Sequence, residues 1–208
     1  MNRTIVLKTK IYISTISSYE NLADLIIDNT GNPIDAFIYL RDLEASYPNF
    51  YKWYHQTVIG DIKKGVNGRC MLFAFSDVFE EGYISKKLTG LAILKSTKQE
   101  KKICTIRVFS KYQKQGIGSA LIKRCIRYLK TQKPLITISE FNIKYFSSFI
   151  RKYNWSLVQV LPDYYKEGVV EYVYNGRLLN SKELQMFLQK HLKKTIQKNR
   201  KIYFRDKF

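Results

Sequence analysis

The chain has 208 residues, 45% of them hydrophobic, and carries 36 Lys and Arg against 17 Asp and Glu, a formal charge of +19. That length suggests one domain with a small appendage, and the apolar content is enough for a real core, which excludes a disordered or fibrous chain. The charge exceeds what solubility needs and points to an anionic partner, nucleic acid or a phosphate-rich ligand, although AT-rich coding would raise Lys, Asn, Ile and Tyr together to the same effect.

In chain order, IVLKTKIYIST (5–15) reads as one or two short strands. NLADLIIDN (21–29) and IDAFIYLRDLEAS (34–46) read as helices separated by the breaker TGNP (30–33). After Pro48, the three- and four-residue spacing of Phe50, Trp53, Tyr54, Val58 and Ile62 marks one apolar stripe on a helix. Residues 69–76 and 88–95 are expected as buried strands joined by a polar loop, 77–87. The segment 102–109 is a third strand, entered by a hairpin turn at KQEK (98–101). Beyond a glycine turn, Ile117, Leu121, Ile122, Cys125, Ile126 and Leu129 form one helix face. A strand at 134–139, a helix at 142–153 and two hairpin-joined strands at 155–161 and 169–175 follow, the last pair offering edges through which two subunits could pair as a homodimer. Asn180 and Glu183 form a capping box for a closing helix.

Cys70, Cys104 and Cys125 are odd in number, far apart and in regular segments, and the only histidines are His55 and His191. This argues against a metal site and for buried free thiols in a reducing compartment. The N-terminus is broken by Arg3, Lys8 and Lys10, so no signal peptide is expected; with no apolar run of membrane length, a cytoplasmic protein is. From Arg177 on, ten Lys and Arg face Glu183 and Asp206. That tail is either an arm for nucleic acid or an acidic protein, or a helix docked by Leu184, Phe187, Leu188 and Leu192 with solvated lysines.

The stretch that carries chemistry is KYQKQGIGSALIKRCIRYL (111–129), a basic turn with two glycines between a strand and a helix. A helix N-terminus presents unpaired N–H groups and partial positive charge, and glycine lets an anion approach the backbone. Leu121 stands where a dinucleotide fingerprint needs its third glycine, and Gly118 is followed by Ser-Ala rather than the Lys-Ser/Thr of a P-loop. What remains is Gln113-x-x-Gly116-x-Gly118, and ten basic residues with no acidic one between Lys101 and Lys133.

On those residues the chain resembles the GNAT N-acetyltransferase superfamily over about residues 50–176, most specifically from Val108 to Leu121. The resemblance implies an α/β (α+β) fold with a mixed, mostly antiparallel sheet of six to seven strands flanked by helices and splayed between 102–109 and 134–139. It divides the chain into an acetyltransferase domain (1–176, with a divergent segment at 1–49) and a basic helical extension (177–208). It implies acetyl-CoA as cosubstrate, its diphosphate held at Gln113, Lys114, Gln115, Gly116, Ile117, Gly118 and Ser119, with Lys111, Lys123 and Arg124 in reach. Its arm and acetyl carbonyl would lie along the backbone of Ile106, Arg107 and Val108. Direct transfer to an amine is the family's usual route, so Cys104 need not act.

Many members carry an acidic tyrosine about five residues before a Gly-Phe pair, but here Asn154-Trp155 puts Ile150 at that place. Glu140 as base and Tyr165 as acid, with Tyr164 as its competitor, are the substitutes expected. The acceptor would be a protein, a small amine or an aminoacyl-tRNA, the last being the substrate of basic GNAT toxins. The alternative is a catalytically weakened GNAT-like module that binds nucleic acid or protein through its basic surface.

Overall fold

The computed structural model describes residues 5–17, 36–80 and 82–205; the helix expected at 21–29 and its TGNP breaker lie outside them. The chain divides into two compact units, residues 1–136 and 137–208. A seven-stranded sheet runs β1 (Ile5–Ile16), β2 (Arg69–Glu80), β3 (Tyr83–Ser96), β4 (Lys101–Val108), β5 (Leu135–Ser139), β7 (Val170–Tyr174) and β6 (Leu157–Pro162) in that spatial order. The pairs β1–β2, β2–β3, β3–β4 and β6–β7 are antiparallel. The parallel pairing of β4 with β5 is confined to Lys102↔Leu135 and Ile103↔Ile136, the first residues of each strand, as a splayed pair requires.

In the first unit, α1 runs through Phe50–Lys52, Trp53–Ile59 and Gly60–Lys64, its middle segment wound as the wider π-helix. Its stripe of Phe50, Tyr54, Val58 and Ile62 packs with Ile16, Met71, Phe73, Leu91 and Ile93 into one buried cluster. Each fully buried large apolar side chain there contributes about 1.5–3 kcal/mol by leaving water. On the other side of the helix-bearing half, α2 (Ile117–Leu129) buries Ile117, Leu121, Ile122, Cys125 and Leu129, as the periodicity predicts, with Ile126 half-buried.

Two expectations for this unit change. The helix read over 34–46 is instead two 3₁₀ turns, Ala36–Tyr39 and Arg41–Ala45. The reason is the spacing of the apolar residues that meet the core, Phe37, Leu40 and Leu43, which recur every three residues and so suit the tighter winding. The polar loop expected at 77–87 is instead the outer half of a long hairpin that turns at Gly82. Cross-strand pairing of Asp77 with Lys86, and the Lys86 ammonium 4.5 Å from the Tyr12 ring, hold polar residues in strand there.

The second unit holds α3 (Ile143–Lys152), the β6–β7 hairpin and α4 (Ser181–Arg205). The capping box forms as read: Asn180 N–H donates to Glu183 Oε2 at 2.7 Å and Glu183 N–H to Asn180 Oδ1 at 2.9 Å. α4 is docked on the hairpin by Phe187 against Tyr164, by His191 Nδ1 lying 3.1 Å from Asp163 Oδ2, and by the ion pair of Lys194 with Glu167, while Leu188 and Leu192 are exposed. Among the described residues no helix is long and apolar enough to cross a membrane, and no three His, Cys, Asp or Glu side chains gather as for a metal ion.

Candidate active site

β4 ends at Val108, and the chain passes through a 3₁₀ turn, Ser110–Tyr112, before α2 begins. Gln113 leaves that turn extended, and its side-chain Nε2 donates to the Val108 carbonyl at 3.2 Å, tying the turn back to the strand end. Lys114 (φ 62°) and Gly116 (φ 85°) then take left-handed conformations that reverse the chain into the helix. Lysine pays for that geometry where glycine does not, so Lys114→Gly is expected to leave stability unchanged or raise it slightly, read by thermal unfolding. The first intrahelical bond is Ala120 N–H to Gly116 O, at 3.0 Å, so the amides of Ile117, Gly118 and Ser119 lie ahead of the helix ladder. Gly116 supplies no side-chain cap, and a Cβ built on it would meet nothing within 4 Å, so the space beside the turn at Gly116 is open. Three N–H groups at the positive end of a thirteen-residue helix make a ready seat for a diphosphate, and the residues present therefore fit the nucleotide end of acetyl-CoA. Arg124, which the sequence places within reach of the phosphates, instead donates to Thr15 Oγ1 on β1 at 3.2 Å.

β4 itself is bulged. Ile93 pairs with Thr105 and Leu94 with Ile103, leaving Cys104 as the extra residue. A bulge strengthens the local twist and re-aims the residues after it, here Ile106–Val108. Arg69 Nη1 donates to Cys104 Sγ at 3.1 Å, yet burial outweighs that guanidinium and pushes the thiol above its usual range. A thiol held protonated is no nucleophile. Beyond the bulge, Arg107 forms an ion pair with Asp42, and Phe109 stacks on Tyr39 with ring centroids 4.7 Å apart. These residues, with Ile38, Arg41 and Ser110, line an open hollow of about 420 Å³.

In the second unit, Glu140 directly follows β5. Its N–H donates to the Val170 carbonyl and its Oε1 accepts from the Val170 N–H, both at 2.9 Å, so it clasps β7. The side chain is not spent on the N-terminus of α3, whose first turn carries no acid. Beside it lies Glu171, 1% exposed and with Oε2 lacking any hydrogen-bond partner. Burial, with the Glu140 charge adding to it, lifts the Glu171 carboxyl to about 7. Between pH 4.5 and about 7 the folded chain keeps a proton there that the unfolded chain has lost. This group's contribution to stability therefore falls across that window, by about 3 kcal/mol for the full shift, and is level above it. Glu171→Gln is expected to remove that slope, which urea unfolding at several pH values would check. Tyr165 sits in the hairpin, about one third exposed, edge-on to Tyr164 at 4.7 Å.

Residues 37–144, over half of the chain, match the model of the acetyltransferase (GNAT) family. The chain belongs to the GNAT family. Acetyl-CoA is the cosubstrate that goes with this family. An acetyltransferase assigned to the same family from Desulfovibrio desulfuricans aligns over 79% of this chain and 97% of its own, with TM-score 0.52 and 16% identity. Another from Streptococcus pneumoniae covers 79% and 97% at TM-score 0.49 and 14% identity. Arabidopsis thaliana NAA60, solved with acetyl-CoA, covers 79% and 97% at TM-score 0.48 and 15% identity. No curated protein matches the sequence.

For this GNAT chain the cofactor residues read from the motif fall together: Gln113 to Ser119 form one turn, and Ile106 to Val108 lead into it. Glu140 and Tyr165 both belong to the second unit. Two features escape the motif. Glu171 carries a signal, a lone acid in phase with inward Val173 on an apolar strand. The Asp42–Arg107 pair carries none, because the two residues are joined only by folding across 65 positions.

Proposed function

We propose that the chain is an acetyl-CoA-dependent N-acetyltransferase that passes the acetyl group to a primary amine by direct attack. The observation that carries this reading is the seat at the N-terminus of α2, where the amides of Ile117, Gly118 and Ser119 precede the helix ladder above an open glycine. When bound, acetyl-CoA supplies a thioester carbonyl. Gln113 keeps the turn fixed to the end of β4, so the diphosphate seat and the strand backbone at Ile106–Val108 hold a constant spacing. Fixed N–H donors on such a strand favour the oxygen on which charge builds during attack. The hollow beside Arg107, with its stacked Tyr39 and Phe109, is the place for the acceptor, and its guanidinium groups favour one that carries negative charge near the amine.

Glu140 receives the amine proton, and Tyr165 donates its phenolic proton to the departing thiolate and is reprotonated from solvent. Glu140→Gln is expected to lower kcat by about 100-fold or more, the usual worth of a general base, and Tyr165→Phe by about tenfold. A thiol-release assay against amine, peptide and aminoacyl-tRNA acceptors tests the reading. Turnover with one class supports it; heat on binding acetyl-CoA without turnover in any class would favour a binding module instead. Acceptor affinity that falls steeply with salt would identify a nucleic acid.

A further inference from the structure

The hollow beside Arg107 lies wholly within the first unit, where β4 meets the two 3₁₀ turns. Arg41 and Arg107 line it against a single carboxylate, Asp42, so its wall carries an excess of positive charge. Arg107 donates through Nη2 to Asp42, and its side chain has no other partner among the described residues. Arg41 forms no ion pair among them. The Asp42 side chain is 66% exposed and that of Arg107 25%, and the turn that carries Asp42 has no side-chain cap. An ion pair this open to water adds little to stability, so it is a weak staple and an easily exchanged one. The rest of the lining is apolar: Tyr39 and Phe109 stack with ring centroids 4.7 Å apart, beside Ile38. An apolar wall with a few convergent charged groups, enclosing about 420 Å³, has the make-up of a ligand site. Which anion it takes is shown by the protein's own side chain. Arg107 already holds a carboxylate with one nitrogen, and the planar guanidinium fork suits two carboxylate oxygens side by side.

We propose that the hollow selects an acidic peptide, one with a carboxylate close to its amine, and that Asp42 covers Arg107 until such an acceptor displaces it. This rests on the acetyltransferase reading above. The acceptor carboxylate takes the place of Asp42 on Arg107 and is drawn there by Arg41 as well, while its carbon chain lies on the Tyr39 and Phe109 rings. The hollow is open, so the rest of a peptide can run out of it. Arg107 belongs to the same stretch of β4 as the backbone proposed for the thioester, so a carboxylate held on its side chain keeps the attached amine beside that strand. One ion pair is exchanged for another, and no covalent bond changes. A neutral or basic acceptor has nothing to offer in that exchange, and for it Arg107 stays covered. Asp42 is thus a specificity-determining residue that competes with the ligand it admits.

The test offers the full chain three amidated tripeptides, Glu-Ala-Ala, Gln-Ala-Ala and Lys-Ala-Ala, as acceptors in the thiol-release assay. The Glu peptide should be preferred to the Gln peptide by about tenfold in kcat/KM, with the difference in KM. Asp42→Asn should lower KM for the Glu peptide by about fivefold, and Arg41→Gln, at an exposed position, should raise it by about as much. Arg107→Lys keeps the charge without the fork and should retain part of the preference. Equal KM for the Glu and Gln peptides, or an Asp42→Asn chain that binds the Glu peptide less well, overturns the proposal. A second measurement needs no turnover: the side-chain Nε–Hε signals of Arg41 and Arg107, followed by proton–nitrogen spectroscopy as each peptide is added. The Glu peptide should shift both signals and the Gln peptide neither, and Asp42→Asn should bring the midpoint to lower peptide concentration. Signals that respond alike to both peptides overturn the selection. Arginine signals that respond to the Glu peptide alone, in a chain that acetylates no amine, would refute the acetyltransferase reading and leave the anion site standing. Acetylation of all three peptides alike would refute the anion site alone.

Discussion

Gly118→Asp is expected to abolish useful acetyl-CoA binding while leaving the fold intact. The two effects separate because the same charge acts with opposite sign on the helix and on the ligand. Gly118 is helical, and a Cβ there would make ordinary contact with Val108 Cγ2 at 3.6 Å. α2 has no acid in its first turn, so an aspartate adds a favourable charge–dipole interaction of about 0.3–1 kcal/mol and removes a glycine from the helix. For a diphosphate the same carboxylate is repulsive and competes for the amides, each of which is worth about 1.5–3 kcal/mol to a charged acceptor. Affinity should fall by about 100-fold or more in calorimetry, with a melting temperature equal to or above that of the wild type. A loss of binding accompanied by unfolding would leave the turn a structural element only, and unchanged affinity would move the ligand elsewhere.

Gly90→Ala should be the most damaging conservative change in the first unit. A Cβ at 90 would stand 2.6 Å from the Arg107 carbonyl oxygen, 3.2 Å from Leu121 Cδ1 and 3.3 Å from Val108 Cα. Two of those atoms are backbone and cannot rotate away, so β4 must move off β3 where it leads into the glycine turn. Gly90 follows a bulge at Thr89, whose hydroxyl donates to the Ala74 carbonyl at 3.0 Å and whose carbonyl accepts from the Phe109 N–H at 3.1 Å. Overpacking of this kind costs about 2–3 kcal/mol, which for a chain of this size lowers the melting temperature by several degrees. Gly60→Ala provides the contrast: its nearest neighbour would be the His55 carbonyl oxygen at 4.0 Å, so it should hold or raise stability. Equal effects of the two substitutions would show that glycine content, and not the close approach of β4, sets the outcome.

These two glycines also mark how far the sequence could be read. Gly116 and Gly118 were legible because a strand, a basic turn and a periodic helix surround them within twenty residues, and local order is what short motifs encode. Gly90 was not, since its reason is a contact with Arg107 and Leu121, which lie beyond the next turn. The central strands were read correctly from their apolar runs, while the hairpin extension at 77–87 was hidden by its Asp, Glu and Lys content, which only pairing across strands makes compatible with a sheet. Phe37, Leu40 and Leu43 did display their three-residue spacing, but a short amphipathic stretch reads as an α-helix unless its period is measured. Glu140 could be placed by its position after a strand. Its clasp on Val170 and the buried neighbour Glu171 depend on which strand lies beside β5, and that order, with β7 between β5 and β6, is not written in local pattern.

Amide proton–nitrogen spectra of the full chain, titrated with acetyl-CoA and in parallel with acetyl-pantetheine, which lacks the diphosphate, bear most directly on the seat at α2. Large shifts of the Gly116, Ile117, Gly118 and Ser119 amides with acetyl-CoA, absent with acetyl-pantetheine, are the predicted result. Tight binding of acetyl-CoA that leaves those four resonances in place would contradict it.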